Sequence, residues 1–291
     1  EGRKQMDNLK AKKRHPEEIA VYSAIYVCAA FSVLLLLGII IYVFAKGARR
    51  VNWAFLTGVT SILHGTVGIA GNILNTLIII LLTMIITTPI GVGAAIYLNE
   101  YAKPGKLVTV IIFATETLAG IPSIIFGLFG MLFFGQLCHM GYSLLTGSLT
   151  LTLMVLPLVT RNTQEALKTV PDSFRTGAVG LGAGKWYTIR TILLPSAMPG
   201  IVTGVILAIG RIIGESAALL FTAGSAHLLP KTFDAFLEKI FHSGGTLTIQ
   251  LYLSASKGEF EVAFGIAVVL LVIVLLINFG TKRLAKKLEK H

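Results

Sequence analysis

The segment RNTQEALKTVPDSFRTGAVGLGAGKWYTIRTILLP, residues 161–195, lies between two long apolar runs. It is too polar to cross a lipid bilayer, yet too rich in Ala, Leu and Gly to be a disordered linker. Pro171 followed by Asp172 and Ser173 is typical of a helix start. We therefore predict that the segment folds into short helices at the membrane surface, where the small apolar side chains of residues 178–183 can contact another protein.

The composition of the whole chain shows what this segment connects. Of its 291 residues, 54% are hydrophobic and only 13% are charged, and the mean hydropathy is +0.79. So much apolar surface requires lipid as the solvent. Runs long enough to cross a bilayer as helices occur at residues 21–45, 69–98, 107–137, 143–167, 195–222 and 262–280. The pattern predicts an all-α integral membrane protein with six transmembrane helices.

The distribution of Lys and Arg predicts the orientation. Basic residues concentrate in residues 1–20, in 161–195 and after the last apolar run, and such residues collect on the cytoplasmic side of a membrane. Both termini are therefore expected in the cytoplasm. We divide the chain into a basic cytoplasmic segment at 1–20, a first transmembrane helix at 21–45 that is retained as an anchor, and a five-helix membrane domain at 69–285. That domain contains an external loop at 223–261.

The formal net charge of +11 does not indicate nucleic-acid binding, because the basic residues lie at the ends of apolar runs. Cysteines and histidines show no metal-ligand spacing, so we predict no metal site. The run GLGAGKW, residues 180–186, is not a phosphate-binding Walker A loop. Val179 stands where the first glycine is needed, and Trp186 follows the lysine in place of Ser or Thr. No cofactor is therefore expected on this chain.

Charged side chains also lie inside the predicted spans. Arg211 and Glu215 are spaced one helical turn apart and are expected to share a face near the bilayer centre. They form either an ion pair that fixes packing or part of a substrate path. Arg suits an oxyanion because its planar donors bind two oxygens at once. Glu116 and Ser123 border a Gly–Pro break that is expected to line the same path. The Ser123 hydroxyl either binds an oxyanion there or caps backbone carbonyls freed after Pro122.

Within the external loop, apolar residues recur at helical spacing among charged ones: Phe233, Phe236, Leu237, Ile240 and Phe241. The spacing predicts a short helix. It either lies at the membrane interface or contacts an external partner.

Residues 176–195 resemble the coupling motif of the membrane permeases of ABC importers, which reads E-A-A, three residues, Gly, nine residues, Ile, any residue, Leu-Pro. The resemblance implies that the matching positions and one neighbour contact a cytoplasmic ATPase: Thr176, Gly177, Ala178, Leu181, Gly182, Ile192, Leu194 and Pro195. Thr176 and Gly177 replace the E-A start of the motif. Contact is therefore expected to depend on shape and apolar surface more than on charge.

Longer motifs resemble one family of these permeases, the A-type subunits of phosphate-specific ABC importers (the PstA family). They are AAIYLNEYA (94–102), ETLAGIPSIIFGLFG (116–130), LTLMVLPLVTRNTQEALKTVP (151–171) and LPSAMPGIVTGVILAIGRIIGESAALLFTAG (194–224). The resemblance implies the type I importer permease fold, also called MetI-like, in a multi-pass protein of the bacterial plasma membrane.

The same resemblance implies the partners of such a permease. They are a sister permease, an ATPase dimer that uses ATP and Mg²⁺, an extracytoplasmic phosphate-binding protein and membrane lipid. Arg211 and Glu215 match charged positions of the family. They are, with Glu116 and Ser123, the candidates for the substrate path.

Two other functions fit part of the pattern. A permease for another oxyanion or small solute would share the six spans and the coupling motif. A channel or signalling membrane protein would use residues 161–195 to contact a partner that is not an ATPase, but this leaves the spacing of the motif unexplained. In each case the chain is expected to be a membrane component rather than an enzyme, because no hydrolytic arrangement of Ser, His and Asp is evident.

Overall fold

A computed structural model describes residues 16–61, 66–103, 105–230 and 232–288, so the predicted N-terminal segment lies outside it as far as residue 15. The helices are α1 (Pro16–Gly47), α2 (Trp53–Thr57), α3 (Ala70–Ile96), α4 (Lys106–Gly120), α5 (Ser123–Gly130), α6 (Leu144–Lys168), α7 (Asp172–Gly180), α8 (Lys185–Thr188), α9 (Leu194–Gly214), α10 (Ala217–Thr222), α11 (Phe233–Glu238), α12 (Leu247–Ser256) and α13 (Phe260–Leu288). Short 3₁₀ turns at Ala48–Arg50 and Lys239–Phe241 and π-helical turns at Tyr97–Tyr101, Met131–Leu137 and Ile189–Leu193 continue some of these helices. Strand β1 (Val59–Ser61) pairs in an antiparallel manner with strand β2 (Thr66–Ile69).

Among the described residues, five continuous helical stretches are long and apolar enough to cross a membrane: Ala20–Arg50, Ala70–Tyr101, Leu144–Lys168, Lys185–Gly214 and Phe260–Arg283. A sixth, Lys106–Gly120 with Ser123–Leu137, qualifies only as a pair, because its two arms meet at 102°. These stretches correspond to the six predicted runs. The predicted all-helical, multi-span class is therefore confirmed.

The third predicted run, residues 107–137, is not one continuous helix. α4 ends at Gly120, Ile121 is extended (φ −72°, ψ 132°), and α5 begins at Ser123. Pro122 explains the break, because proline lacks an N–H and disfavours a helical conformation in the residue before it. The kink expected from the Gly and Pro pattern is thus a near right-angle turn.

The fifth run also departs from its predicted bounds of 195–222. The helix already begins at Lys185 and ends at Gly214, and residues 217–222 form the separate helix α10. The fourth stretch continues to Lys168. Both ends of the segment 161–195 therefore extend membrane helices, and only residues 169–184 connect them.

α3 and α6 cross at close range in the centre of the bundle. Thr83 Oγ1 donates to Ser148 O (3.4 Å) across the interface. A Cβ on Gly91 would lie 2.9 Å from Val159 Cγ1, so the two helices leave no room for a side chain there. In lipid, helices associate through such close packing and polar contacts rather than through the hydrophobic effect. This explains why small and hydroxyl-bearing residues occur where α3 and α6 cross.

α9 packs against α6 through small residues. The four-residue spacing of Gly200, Gly204 and Ala208 predicts a face for close contact with either a neighbouring span or a sister subunit. An added Cβ would lie 2.5 Å from Ala166 Cβ at Gly200 and 2.7 Å from Asn162 Cβ at Gly204. The face is therefore used within the chain's own bundle.

α1 contacts the rest of the bundle through its C-terminal part. The rings of Tyr42 and Phe264 meet edge to face with centroids 5.7 Å apart. A Cβ on Gly47 would lie 2.2 Å from Phe264 O, so the helices nearly touch there. Most other side chains of α1 are exposed in the single chain, as suits a helix surrounded by lipid.

Residues 223–261 cover the end of the bundle at which α3 begins. The predicted short helix is present as α11, whereas α12 was not predicted. Asn72 Nδ2 donates to Gly245 O (3.0 Å), and Asn75 Nδ2 donates to both Gly245 O (3.0 Å) and Ala226 O (3.1 Å). These buried amides join the loop firmly to the first turns of α3, because buried polar groups left unpaired would be costly.

Candidate coupling surface and substrate path

The short helix α7 is the centre of the candidate coupling surface. It starts directly after Pro171, and the carboxylate of Asp172 lies in its first turn, at the positive end of the helix dipole. It is closed by Gly182, whose φ of +79° lies in the left-handed region. Ala183 N donates back to Ala178 O (3.0 Å). Glycine is needed at 182 for the backbone rather than for space, because a Cβ there would meet nothing within 4 Å.

The eight predicted coupling residues fall into two groups by exposure. The exposed group can contact a partner: Thr176, Gly177, Leu181, Gly182 and Pro195. Leu181 is 91% exposed. The second group is buried or half-buried: Ala178, Ile192 and Leu194. Of these, Leu194 packs on an apolar cluster shared with the membrane helices.

Further apolar side chains that the motif does not include extend the exposed group. Phe174, Val179, Trp186 and Tyr187 are each about half exposed or more. Together with the exposed residues 176, 177, 181 and 182 they form what we call the coupling surface. Phe174, Val179 and Leu181 lie in the connection between two membrane helices, and Trp186 and Tyr187 lie in the first turn of the next helix. Exposed apolar side chains grouped in this way are typical of protein-contact sites. The sequence reasoning identified the small residues of this surface but missed its aromatic ones.

A small apolar core anchors the coupling surface to the bundle. Ile189 and Leu193 are fully buried against α3 and α6. The motif does not include these residues. Their spacing of four, continued by Ala197 and Ile201, places them on one helix face and was the signal that could have identified them.

Arg175 joins α7 to the far end of α3. Its Nη2 donates to Glu100 Oε1 (2.9 Å) and its Nε donates to Glu100 Oε2 (3.4 Å). The side chain of Glu100 is only 8% exposed. The hydrogen bond with Glu100 raises the pKa of Arg175 above its ordinary value. Sequence reasoning treated Arg175 only as a basic residue, because no local spacing connects two positions 75 residues apart.

The predicted geometry of Arg211 and Glu215 is wrong. The helix ends at Gly214, and Glu215 leaves it with an extended backbone (φ −81°, ψ 123°), so the two residues do not share a helix face. Glu215 Oε1 instead accepts from Ala218 N (3.0 Å), and Glu215 O accepts from Thr248 Oγ1 (2.8 Å). Arg211 is exposed on α9 and makes no ion pair within the described part of the chain.

Glu116 and Ser123 lie on different arms of the bent pair. Glu116, on α4, lines a polar cavity of about 160 Å³ whose other charged residues are Arg161, Glu165 and Lys168 of α6. Ser123 is half-buried at the first position of α5. Arg211 and Glu215 do not line that cavity. The structure therefore does not gather the four path candidates into one cluster within the single chain.

No group of three His, Cys, Asp or Glu side chains among the described residues is placed to hold a metal ion. The candidate functional features are the exposed apolar coupling surface and the charged or polar residues beside the helix breaks.

Five helices able to cross a membrane, a sixth bent pair, charged residues beside the helix breaks and an exposed apolar surface define a multi-span membrane protein. The chain belongs to the family of binding-protein-dependent transport system inner membrane components, which matches residues 87–291. It is therefore a multi-pass protein of the bacterial plasma membrane and a component of a transporter rather than an enzyme.

Curated relatives cover most of the chain. A protein of Bacillus subtilis described as "Probable ABC transporter permease protein YqgI" is 35% identical over 273 residues, which is 90% of this chain and 93% of the relative. "Phosphate transport system permease protein PstA" of Xylella fastidiosa is 34% identical over 244 residues, or 82% of each chain. The family resemblance predicted from the motifs is confirmed.

Solved structures share the fold at low sequence identity. A chain of a bacterial alginate ABC transporter in complex with a periplasmic protein matches with a TM-score of 0.70 and 14% identity, covering 94% of this chain and 96% of that one. A chain of the inward-facing MetNI methionine ABC transporter matches with a TM-score of 0.58 and 22% identity, covering 76% and 94%. The predicted importer-permease fold is confirmed.

Proposed function

We propose that the chain is a permease subunit of an ATP-driven phosphate importer. It forms the translocation path with a sister permease, receives phosphate from an extracytoplasmic binding protein and is driven by cytoplasmic ATPases. The observation that carries the proposal is the likeness to phosphate transport permeases over most of both chains. The motifs that predicted this family lie in the broken helices and in the coupling surface, where transport function is expected.

Docking of an ATPase is supported by the exposed character of the coupling surface. If the segment lies outside the bilayer, its exposed apolar side chains, such as Leu181 and Trp186, face water rather than lipid. Burying them against another protein removes apolar surface from water, which favours association. The chain itself carries no Walker A loop, so ATP and Mg²⁺ would be bound by the partner. In this arrangement both termini are cytoplasmic, together with residues 169–184.

The substrate path is assigned to the broken helices. A backbone break at membrane depth is tolerated where it is covered by protein or lines a water-filled cavity. α4 and α5 break beside Ser123, and α9 and α10 break at Glu215. Arg211, with five donors and no ion-pair partner in the described residues, is the group best suited to a phosphate oxyanion. The substrate or the sister permease would supply the negative charge that pairs with Arg211.

Co-purification tests the partner assignment. The tagged chain is expressed with its genomic neighbours, solubilised in mild detergent and captured. We expect an ATPase and a second permease to be retained. Loss of both from a folded, membrane-inserted chain would contradict the importer assignment and favour a channel or signalling protein. Competition by other oxyanions in an uptake assay separates a phosphate permease from one for another solute.

A further inference from the structure

α7 has few attachments through which its movement can reach the membrane helices. Most of its side chains are exposed, and Ala178 is its buried residue. A helix of nine residues is too short to be stable without tertiary contacts. The contacts between α7 and the bundle therefore determine which membrane helix moves when a partner displaces α7.

Arg175 provides that attachment with all of its donors. Nη2 donates to Glu100 Oε1 and to Leu167 O (3.0 Å), Nη1 donates to Val170 O (3.0 Å) and to Asp172 Oδ1 (3.0 Å), and Nε donates to Glu100 Oε2. These five contacts match the five N–H groups of a guanidinium. The side chain thus joins α7 to carbonyls at and just beyond the end of α6, those of Leu167 and Val170, and to the turn that continues α3.

Glu100 is also fixed by contacts within the turn that carries it. It lies in the π-helical turn that continues α3, and Asn99 Nδ2 donates to its Oε1 (2.7 Å). Lys185, the first residue of α8, makes a second contact with the same turn, because its Nζ lies 4.8 Å from the ring centroid of Tyr101. Separating a bidentate pair with a nearly buried carboxylate would leave a buried charge unpaired, which is costly. When α7 moves, such a pair therefore stays together and pulls its partner helix more effectively than an exposed ion pair would.

α3 connects this turn to the opposite end of the molecule. From Ala70 to Tyr101 it is about 45–50 Å long at 1.5 Å per residue. At its first turns, the Asn72 and Asn75 amides donate to the carbonyls of the external loop, and Leu247 N donates to Thr76 Oγ1 (3.0 Å). One continuous helical stretch, with Pro89 in its interior, is therefore hydrogen-bonded to α7 at one end and to the external loop at the other.

We infer that the Arg175–Glu100 pair is the link through which movement of the ATPase-bound α7 is passed to α3 and, by α3, to the external loop that faces the binding protein. The inference rests on the proposed function. Arg175 and Glu100 are positioning residues: neither contacts ATP or phosphate in this account. Their role is to make ATP hydrolysis depend on the state of the external side.

The test uses the complete transporter, reconstituted in proteoliposomes with its ATPase, sister permease and binding protein. Glu100→Gln is nearly isosteric and leaves the bonds of Arg175 to Leu167, Val170 and Asp172 available. We expect the complex to assemble and to hydrolyse ATP, but the phosphate imported per ATP hydrolysed to fall roughly tenfold, within the range typical of coupling between sites. Stimulation of hydrolysis by the loaded binding protein should fall in parallel.

Arg190→Gln is the matched control, because Arg190 is an exposed arginine of the same segment without an ion pair among the described residues. It should keep the wild-type ratio. The double variant Glu100→Gln with Arg175→Gln should be no worse than Arg175→Gln alone, since both changes remove one link. If Glu100→Gln does not assemble, Glu100→Asp, which keeps the charge and shortens the side chain, is judged by the same ratio.

The inference would be overturned if an assembled Glu100 variant kept the wild-type ratio of phosphate to ATP and only its melting temperature fell. The pair would then have only a local, stabilising role. Absence of ATP-dependent phosphate uptake by the wild-type complex is a different result. It would refute the proposed function itself.

Discussion

Gly127 of α5 lies directly against the backbone of Ala218 in α10: a Cβ at residue 127 would be 2.8 Å from Ala218 Cα and 3.1 Å from its carbonyl oxygen. The two short helices that follow the breaks in the third and fifth spans are therefore in contact. Because the opposing atoms belong to the backbone, no side-chain rotation can relieve a substitution there.

Gly127→Ala should destabilise the protein by about 1–3 kcal/mol, the usual cost of overpacking a tight contact. The change would force α5 and α10 apart. Thermal unfolding in detergent measures the effect. Gly120→Ala is the control, because a Cβ at residue 120 meets nothing within 4 Å. Equal stability of the two variants would show that the helices are not in contact.

Gly182→Ala should loosen the C-terminal end of α7 by about 1–2 kcal/mol, because residue 182 has a φ of +79° that alanine adopts only with strain. Hydrogen exchange of the amides around Ala183 should accelerate, and retention of the ATPase should weaken. Gly180→Ala, within the helix and with nothing within 4 Å of its Cβ, should slow exchange instead. Unchanged exchange in Gly182→Ala would refute the proposed closure of the helix.

Leu181→Ser should weaken ATPase binding roughly tenfold or more, since burying a leucine is worth about 1.5–3 kcal/mol and 1.4 kcal/mol is one factor of ten. The chain should remain as stable as the wild type, because Leu181 is 91% exposed. Titration of the purified permease with ATPase measures the affinity. Leu228→Ser, at an exposed leucine of the external loop, should leave it unchanged. An unaltered affinity for both would place the docking site elsewhere.

Arg211→Gln should lower phosphate uptake without lowering the amount of assembled transporter, because the side chain is exposed on α9 and unpaired in the described residues. Arg49→Gln, an exposed arginine beyond the end of α1, serves as the control. Glu215→Gln can keep the acceptor for Ala218 N, so any loss of uptake in that variant reports the charge rather than the fold. A loss of folded protein in Arg211→Gln would instead indicate a packing role.

Features set by local chemistry were predictable from the sequence. The six apolar runs, the break at Pro122 and the start of α7 at Asp172 follow from hydropathy, proline chemistry and helix-start signals. Motif spacing identified Gly182 but not its left-handed backbone. Apolar periodicity also predicted the helix α11. Each of these depends on residues that are close together along the chain.

Features set by long-range contact were not predictable in the same way. The Arg175–Glu100 pair joins residues 75 positions apart, and no local pattern indicates it. The end of α9 at Gly214 places Glu215 outside the helix, although its spacing from Arg211 fits a helical turn. α12 carries apolar and hydroxyl residues without a clear period, and its packing against other helices, rather than its own pattern, accounts for it.

The most direct test of the central claim is phosphate uptake by the reconstituted transporter. Proteoliposomes contain the chain, its sister permease and the ATPases, with binding protein outside and ATP inside. We predict accumulation of radiolabelled phosphate that requires both ATP and the binding protein, is abolished by excess unlabelled phosphate and survives excess sulfate. ATP-dependent accumulation of another solute without any of phosphate would contradict the account.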